Sequence, residues 1–489
     1  MRDRCAQGLR IACVVATLAL LSWAANGCRK QAEEPPPPPV SEQAEESEDV
    51  METLEAMRQG QTVTLARFKE MLASPSATDR TEAVNGLFAV DDQSGAAQEV
   101  LRLLGSDPDY AVRSAAASAL AVAFQSDLGL DPVPALAKAA RDDSVGAVRA
   151  AAVRTLSQAE GPLAEETLQT VRASDSVPEV RNEALKALLA LYSRQGPRGW
   201  RKLGAFLGDN RDDQSALAAI QFTVTGRRTV PVLIEILETS REGRQRATAA
   251  GLLATICAGR TETSREFGQR AKYLAGAPEK QDPPDLRAVE PLLKALEHDP
   301  YYPVREAAAL GLGLLGDARA VEPLGRALSD EHMPVRRRAA SALILLPATP
   351  VIPALAKCVR TDPSPAVRQF AVRALGWTQQ PAAVDPLIDA LRDGDSDVRS
   401  AAADFLGELG DERAVPPLTD LFYDEDVDVR WAAVRSAGKL GGEVARRALL
   451  DVYNDSRQAA QVVQAADDAL RTMGHLVTYR EADEEKLKE

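Results

Sequence analysis

Asp393-Gly-Asp-Ser-Asp-Val398-Arg399-Ser-Ala-Ala-Ala-Asp-Phe-Leu-Gly-Glu-Leu-Gly410 repeats, at ten of eighteen positions, the earlier Asp299-Pro-Tyr-Tyr-Pro-Val304-Arg305-Glu-Ala-Ala-Ala-Leu-Gly-Leu-Gly-Leu-Leu-Gly316. Its Val-Arg pair also recurs at Val112-Arg113, Val148-Arg149, Val180-Arg181, Val335-Arg336, Val367-Arg368 and Val429-Arg430. Fainter copies align at Asp79-Arg80, Gln214-Ser215, Gln245-Arg246 and Val462-Val463, which makes twelve. The segments between them, such as Ala320-Val-Glu-Pro-Leu-Gly-Arg-Ala-Leu328, place apolar residues at three- and four-residue intervals. Each unit therefore reads as two short amphipathic helices. A hairpin of that size cannot bury both apolar faces alone, but a neighbour on each side can. The fold expected is all-α, a right-handed α-solenoid of about twelve helical hairpins over residues 62–475. Degenerate copies at its two ends would act as caps.

Small residues support close stacking. The pairs Ala308-Ala309 and Ala401-Ala402 are expected where helices meet, and Gly316, Gly410 and Gly441 where helices end and a positive φ is convenient. An Asp stands six residues before the Arg position in nine copies, at Asp107, Asp143, Asp175, Asp209, Asp299, Asp330, Asp362, Asp393 and Asp424, with Ser215 replacing the Arg in one of them. A catalytic pair would occur once, not in every repeat, so these residues are structural.

The pattern resembles HEAT repeats, in the short form associated with phycobilin (PBS) lyases. That resemblance implies a ladder of hydrogen bonds between Asp and Arg of neighbouring repeats; the rung at the terminal Arg80 is expected to matter less than one at Arg399, because one side of that repeat is open. It also implies that the second helix of each unit lines the concave side. Counting from the Val, positions two, six and ten then face the groove. In the C-terminal half they supply Arg337, Gln369, Arg373, Trp377, Trp431, Arg435 and Lys439, interrupted by Asp404 and Glu408. Arg and Trp are enriched where interfaces carry most of their energy, so this face is the candidate partner-binding surface.

The repeat grammar breaks once, with a surplus near residues 260–287 that contains Phe267, Tyr273 and the turn-rich Gly276–Pro284. At the other end of the chain, Arg2, Arg4 and Arg10 precede an uncharged apolar run of fifteen residues, Ile11–Ala25. That is short for a membrane span and suits a signal peptide, residues 1–27. The Gly27-Cys28 junction resembles a bacterial lipoprotein signal, which implies lipid on Cys28. Arg29 after it favours the outer membrane, facing the periplasm, over the inner one. Ordinary secretion to the periplasm or medium is the alternative. Residues 28–61 read as a disordered tether: Pro35–Pro39 favours polyproline II, and Arg29–Asp49 holds two basic against seven acidic residues. Residues 476–489 form a charged tail.

The chain has 489 residues, 58 Lys+Arg against 72 Asp+Glu and a formal net charge of −14, which argues against nucleic acid as a partner. Aromatics are 4%, too few for a sandwich or barrel. Cys257 and Cys358 fall more than two repeats apart, too far to form a disulfide, and read as core residues. His298 and His332 lie in adjacent turns beside Asp299 and Asp330 without the close spacing of metal sites, so neither a metal nor a cofactor is expected. No phosphate-binding loop, nucleophile elbow or His-Glu-x-x-His is present. The sequence thus points to a non-enzymatic, lipid-anchored scaffold for a protein or peptide. The alternative is a lyase-like or other enzyme using the solenoid groove.

Overall fold

Both quoted stretches form the second helix of a hairpin in the computed structural model, which describes residues 48–59, 61–124, 128–208, 212–258 and 283–474. Among these residues, α1 (Glu48–Arg58) precedes twelve hairpins. The first four pair α2 (Leu65–Leu72) with α3 (Ala77–Asn85), α4 (Gln93–Ser106) with α5 (Tyr110–Ala119), α6 (Val133–Asp142) with α7 (Gly146–Leu156), and α8 (Pro162–Ser174) with α9 (Pro178–Arg194). The next four pair α10 (Gly196–Gly204) with α11 (Asp212–Thr225), α12 (Val230–Thr239) with α13 (Gly243–Cys257), α14 (Val289–His298) with α15 (Tyr302–Leu315), and α16 (Val321–Ala327) with α17 (Met333–Leu343). The last four pair α18 (Ile352–Thr361) with α19 (Pro365–Thr378), α20 (Val384–Ala390) with α21 (Ser396–Leu409), α22 (Val415–Asp420) with α23 (Val427–Leu440), and α24 (Gly442–Asn454) with α25 (Ala460–Thr472). The architecture is an all-α solenoid.

Local chemistry sets the ends of each second helix. Asp395 and Asp426 accept hydrogen bonds from backbone N–H groups of the first turn of α21 and α23, satisfying donors that have no intrahelical partner. Twelve residues after the Val, α15 and α21 stop in the left-handed region at Gly316 (φ 73°) and Gly410 (φ 75°). The same turn after α19 falls on Gln379 (φ 53°), the one non-glycine residue with positive φ among those described.

Burial follows the repeat. On α21, Val398, Ala402, Ala403 and Leu406 are buried; on α15, the same positions are Val304, Ala308, Ala309 and Leu312. The buried pair is therefore Ala402-Ala403, one residue later than the expected Ala401-Ala402, because the face is set by counting four and five from the Val. Position nine approaches position seven of the next second helix closely. A Cβ on Gly313 would lie 2.7 Å from the Ala342 Cβ, and one on Gly438 would lie 2.4 Å from the Ala469 Cβ. Second helices also contact one another far more extensively than first helices do. A stack spaced more tightly in one layer curves toward it, so the second helices line the concave side.

The ladder runs along the turns. Arg399 donates from Nε and Nη2 to the Asp424 carboxylate of the next repeat at 2.9 and 2.8 Å, and from Nη1 to the carbonyl of Asp393 at 2.9 Å. Asp393 in turn receives Arg368 and caps its own turn through the Asp395 N–H. The same bidentate pair joins Arg80 to Asp107, Arg113 to Asp143, Arg149 to Asp175, Arg246 to Asp299, Arg305 to Asp330 and Arg336 to Asp362. Planar guanidinium forks make this geometry possible. Arg80 makes the same set of bonds as the interior rungs, its guanidinium also reaching the carbonyl of Ser74. Where the ladder lacks an Arg, other polar groups substitute: Ser215 Oγ accepts from the Gly208 N–H, and Gln245 donates to the Gly204 carbonyl. Asp209 lies outside the described residues.

The stack continues across the surplus segment. Arg246 bridges to Asp299, α13 packs directly on α15, and the Asp285 N–H donates to the Cys257 carbonyl at 2.8 Å. Asp285 and Arg287 make the same Asp-x-Arg turn as Asp317–Arg319 and Asp411–Arg413, so the regular repeat resumes by Asp285. At the N-terminal end the expected tether of 28–61 needs correction, because α1 occupies part of it. Leu54 and Met57, three residues apart, bury against the first hairpin, and Arg58 pairs with Glu82 at 2.5 Å. The acidic, proline-rich character that suggested a spacer ends at Asp49, just where this apolar spacing begins.

Candidate functional site: the inner face of the C-terminal repeats

Positions two, six and ten of each second helix are the ones left after the Val, the small pair and the leucine turn inward to the core. On α21 these are Ser400, Asp404 and Glu408, which are half-buried or exposed while their neighbours are buried. The expected residues all fall on this inner face. Arg337, Gln369, Arg373, Trp377, Trp431 and Arg435 are half-buried, and Lys439 is exposed.

The structure brings two groups of them together. Arg435 lies over the Trp431 ring, its guanidinium carbon 4.3 Å from the centroid, and its Nη2 donates to Asp404 on the preceding second helix at 2.5 Å. Held from both sides, this Arg has already lost much of the side-chain entropy that binding would otherwise cost. Trp377 meets the edge of Phe405 at 5.9 Å between centroids. The second group is cationic. Arg337 and Arg338 both approach Glu306 of α15, at 3.8 and 3.6 Å. Burial holds the Arg338 guanidinium below its ordinary pKa although Glu306 opposes the shift. Arg373 and Lys439 form no ion pair among the described residues.

Counting by two, six and ten misses Arg338, Phe370 and Phe405, which occupy positions three and seven and border the same groove. It also misses the character of α11 and α13, where Ile220, the exposed Val224, Ala247, Gly251 and Thr255 leave the inner positions uncharged. The same count, extended one residue and carried back to α11, would have found both. Among the described residues the buried Nε atoms of Arg338 and Arg435 have no hydrogen-bond partner, although each guanidinium is ion-paired through Nη2.

Elsewhere the chemistry is structural. Clefts of about 680 and 480 Å³ beside Asp330 and Asp362 recur with the repeat and are lined by the rungs themselves. His298 is exposed beside Glu297, whereas His332 stacks on Tyr302 with centroids 4.5 Å apart. Among the described residues, no group of three or more His, Cys, Asp or Glu is placed to hold a metal, and no helix is long and apolar enough to cross a membrane. Cys257 and Cys358 are free and buried. Cys28, the signal segment and the tail beyond Gly474 lie outside the described residues.

A family model described as HEAT repeats matches residues 64–157, 289–364 and 352–429. These segments, just under half of the chain, are similar to HEAT repeats. No curated protein matches the chain. Among solved structures, an engineered protein is 22% identical, covering 77% of this chain and 98% of its own, with a TM-score of 0.37. The Escherichia coli protein YibA is 18% identical, over 61% of this chain and 98% of its own, with a TM-score of 0.39. Kap121p bound to RanGTP is 14% identical over 87% of this chain and 57% of its own, with a TM-score of 0.40. A HEAT solenoid is the kind of surface on which scaffolds bind other proteins.

Proposed function

We propose that this chain is a non-enzymatic scaffold that binds a protein or peptide along the concave face of its HEAT solenoid, while lipid on Cys28 holds it to the outer membrane, facing the periplasm. The observation that supports the binding surface is the Arg435–Trp431 stack pinned by Asp404, beside the Trp377–Phe405 pair and Arg373 and Lys439, which form no ion pair among the described residues. Restrained Arg and aromatic side chains in a groove are where binding energy concentrates, and each costs about 2 kcal/mol or more when truncated. The anchor rests on the Gly27-Cys28 junction and the apolar run before it.

The test replaces Gln369, Arg373 and Lys439 by Glu, leaving Arg435 alone because its change would set a carboxylate against Asp404. Capture of the partner by the purified chain should fall at least tenfold, with helicity and melting temperature nearly unchanged. Undiminished capture by a folded triple variant would place the binding surface elsewhere.

A further inference from the structure

The inner face has an ordered charge pattern, and the segment that leaves its C-terminal end carries a matching one. Ala469 of α25 sits against Gly438 of α23, next to Lys439. Thr472, the last residue of α25, is therefore only about 5 Å further along the helix, and residues 475–489 begin beside the groove. From α25 toward α15 the inner face presents Asp468, then Trp431 and Lys439, then Phe405 with Asp404 and Glu408, then Trp377 and Arg373, then Arg337 and Arg338, and last Glu306. The segment reads His475-Leu-Val-Thr-Tyr479-Arg480-Glu481-Ala-Asp483-Glu484-Glu485-Lys486-Leu-Lys488-Glu489.

Distances align the two. Helices stacked at roughly 10 Å per repeat put α19 about 30 Å and α17 about 40 Å from α25. Extended chain covers at most about 3.3–3.6 Å per residue. Laid out extended along this face, Tyr479 would reach the Trp431 and Phe405 helices and Arg480 would reach Glu408. The four acids from Glu481 to Glu485 would reach the helices that carry Arg373, Arg337 and Arg338, with Lys488 near Glu306. The acidic stretch thus faces the Arg-bearing helices, whereas Lys439 meets no acid of the segment. Arg373 forms no ion pair among the described residues, and Arg337 and Arg338 share the single carboxylate of Glu306, so cations outnumber acids on the inner face from α15 to α19.

We propose that residues 475–489 occupy this inner face in the free protein, running from α25 toward α15, and leave it when an external partner enters. The inference rests on the reading that the inner face is the binding surface, and gives that surface an internal competitor. With a few millimolar effective concentration, such a tethered segment lowers apparent partner affinity in proportion to its occupancy.

The full-length chain carrying a benzophenone amino acid in place of Tyr479 tests it. Irradiation followed by mass spectrometry should yield intramolecular adducts on α21 and α23. Arg337→Glu with Arg373→Glu should cut their yield at least tenfold. Replacing Glu481, Asp483, Glu484 and Glu485 by Lys in an otherwise unchanged chain should do the same without touching the solenoid, and combining both sets should restore the adducts. Adducts on the first helices, adducts only between molecules, or yields indifferent to either charge reversal would overturn the proposal. Partner capture separates the two ideas: a chain ending at Gly474 should capture the partner more tightly than the full-length chain, and if the full-length chain captures the partner equally well and gives no intramolecular adducts, the binding surface stands and the internal competitor falls.

Discussion

Substituting Arg399→Ala isolates what one rung of the ladder is worth. The change removes two hydrogen bonds to Asp424 and one to the Asp393 carbonyl. Asp424 keeps one bond, from the Asp426 N–H at 2.9 Å, and its side chain is only 9% exposed. A carboxylate stranded in that position costs on the order of 3 kcal/mol, the low end for breaking a buried pair because the turn edge lies close to solvent. Much of that cost belongs to the orphaned charge and not to the pair itself. Arg399→Ala combined with Asp424→Ala should therefore be less destabilised than the two single changes added together, by about 1–2 kcal/mol. Because a solenoid can unfold in parts, amide exchange in α21 and α23 is a better readout than a single melting curve. Arg80→Ala, at the end of the array, should cost within about 1 kcal/mol of Arg399→Ala, since its bonds to Asp107 and Ser74 are the same set. A coupling below about 0.5 kcal/mol between Arg399 and Asp424 would refute the ladder as a source of stability.

Three further outcomes follow from the same structure. Burial opposes ionisation of Asp143, Asp175, Asp330 and Asp393, but the Arg partners and backbone N–H groups outweigh it and hold all four carboxylates below the usual range. Depressed carboxylates stabilise fully above their unfolded value near 4, so melting temperature should be flat in this contribution from pH 7 to 5 and fall as pH drops through about 4 and below. A loss concentrated between pH 7 and 5 would contradict it. Burial pushes the Cys257 and Cys358 thiols up to about 12, so neither should react with a maleimide at pH 7.5 until the chain is denatured; labelling of native protein within minutes would refute their placement. Cys28→Ser should move the protein from the membrane to the soluble fraction, and a wild-type chain found wholly soluble would remove the anchor.

The stack was legible because each repeat writes it again: one Val-Arg pair is noise, but eight, the last five of them 31 or 32 residues apart, outweigh any local ambiguity. The terminators at Gly316 and Gly410 were equally plain, since a left-handed turn selects glycine. Gln379 hid the same turn, because a side chain there tolerates the conformation without announcing it. Helix α1 escaped because Leu54 and Met57 have meaning only against the first hairpin, and the preceding acids and prolines dominate the composition. On the inner face, a count of two, six and ten found Trp431 and Arg435 but could not show that Arg435 is already bound to Asp404. Whether a surface cation is free or paired depends on which neighbour stands across the groove, and that is a property of register between repeats.

The most direct test of the binding face is paired photo-crosslinking in cells, with the same benzophenone residue placed at Gln369 on the inner face or at the exposed Lys357 on a first helix. The account predicts a discrete protein adduct from position 369 that disappears with Arg373→Glu and Lys439→Glu, and none from position 357. The same adduct from position 357, or one at 369 unaffected by charge reversal, would contradict it.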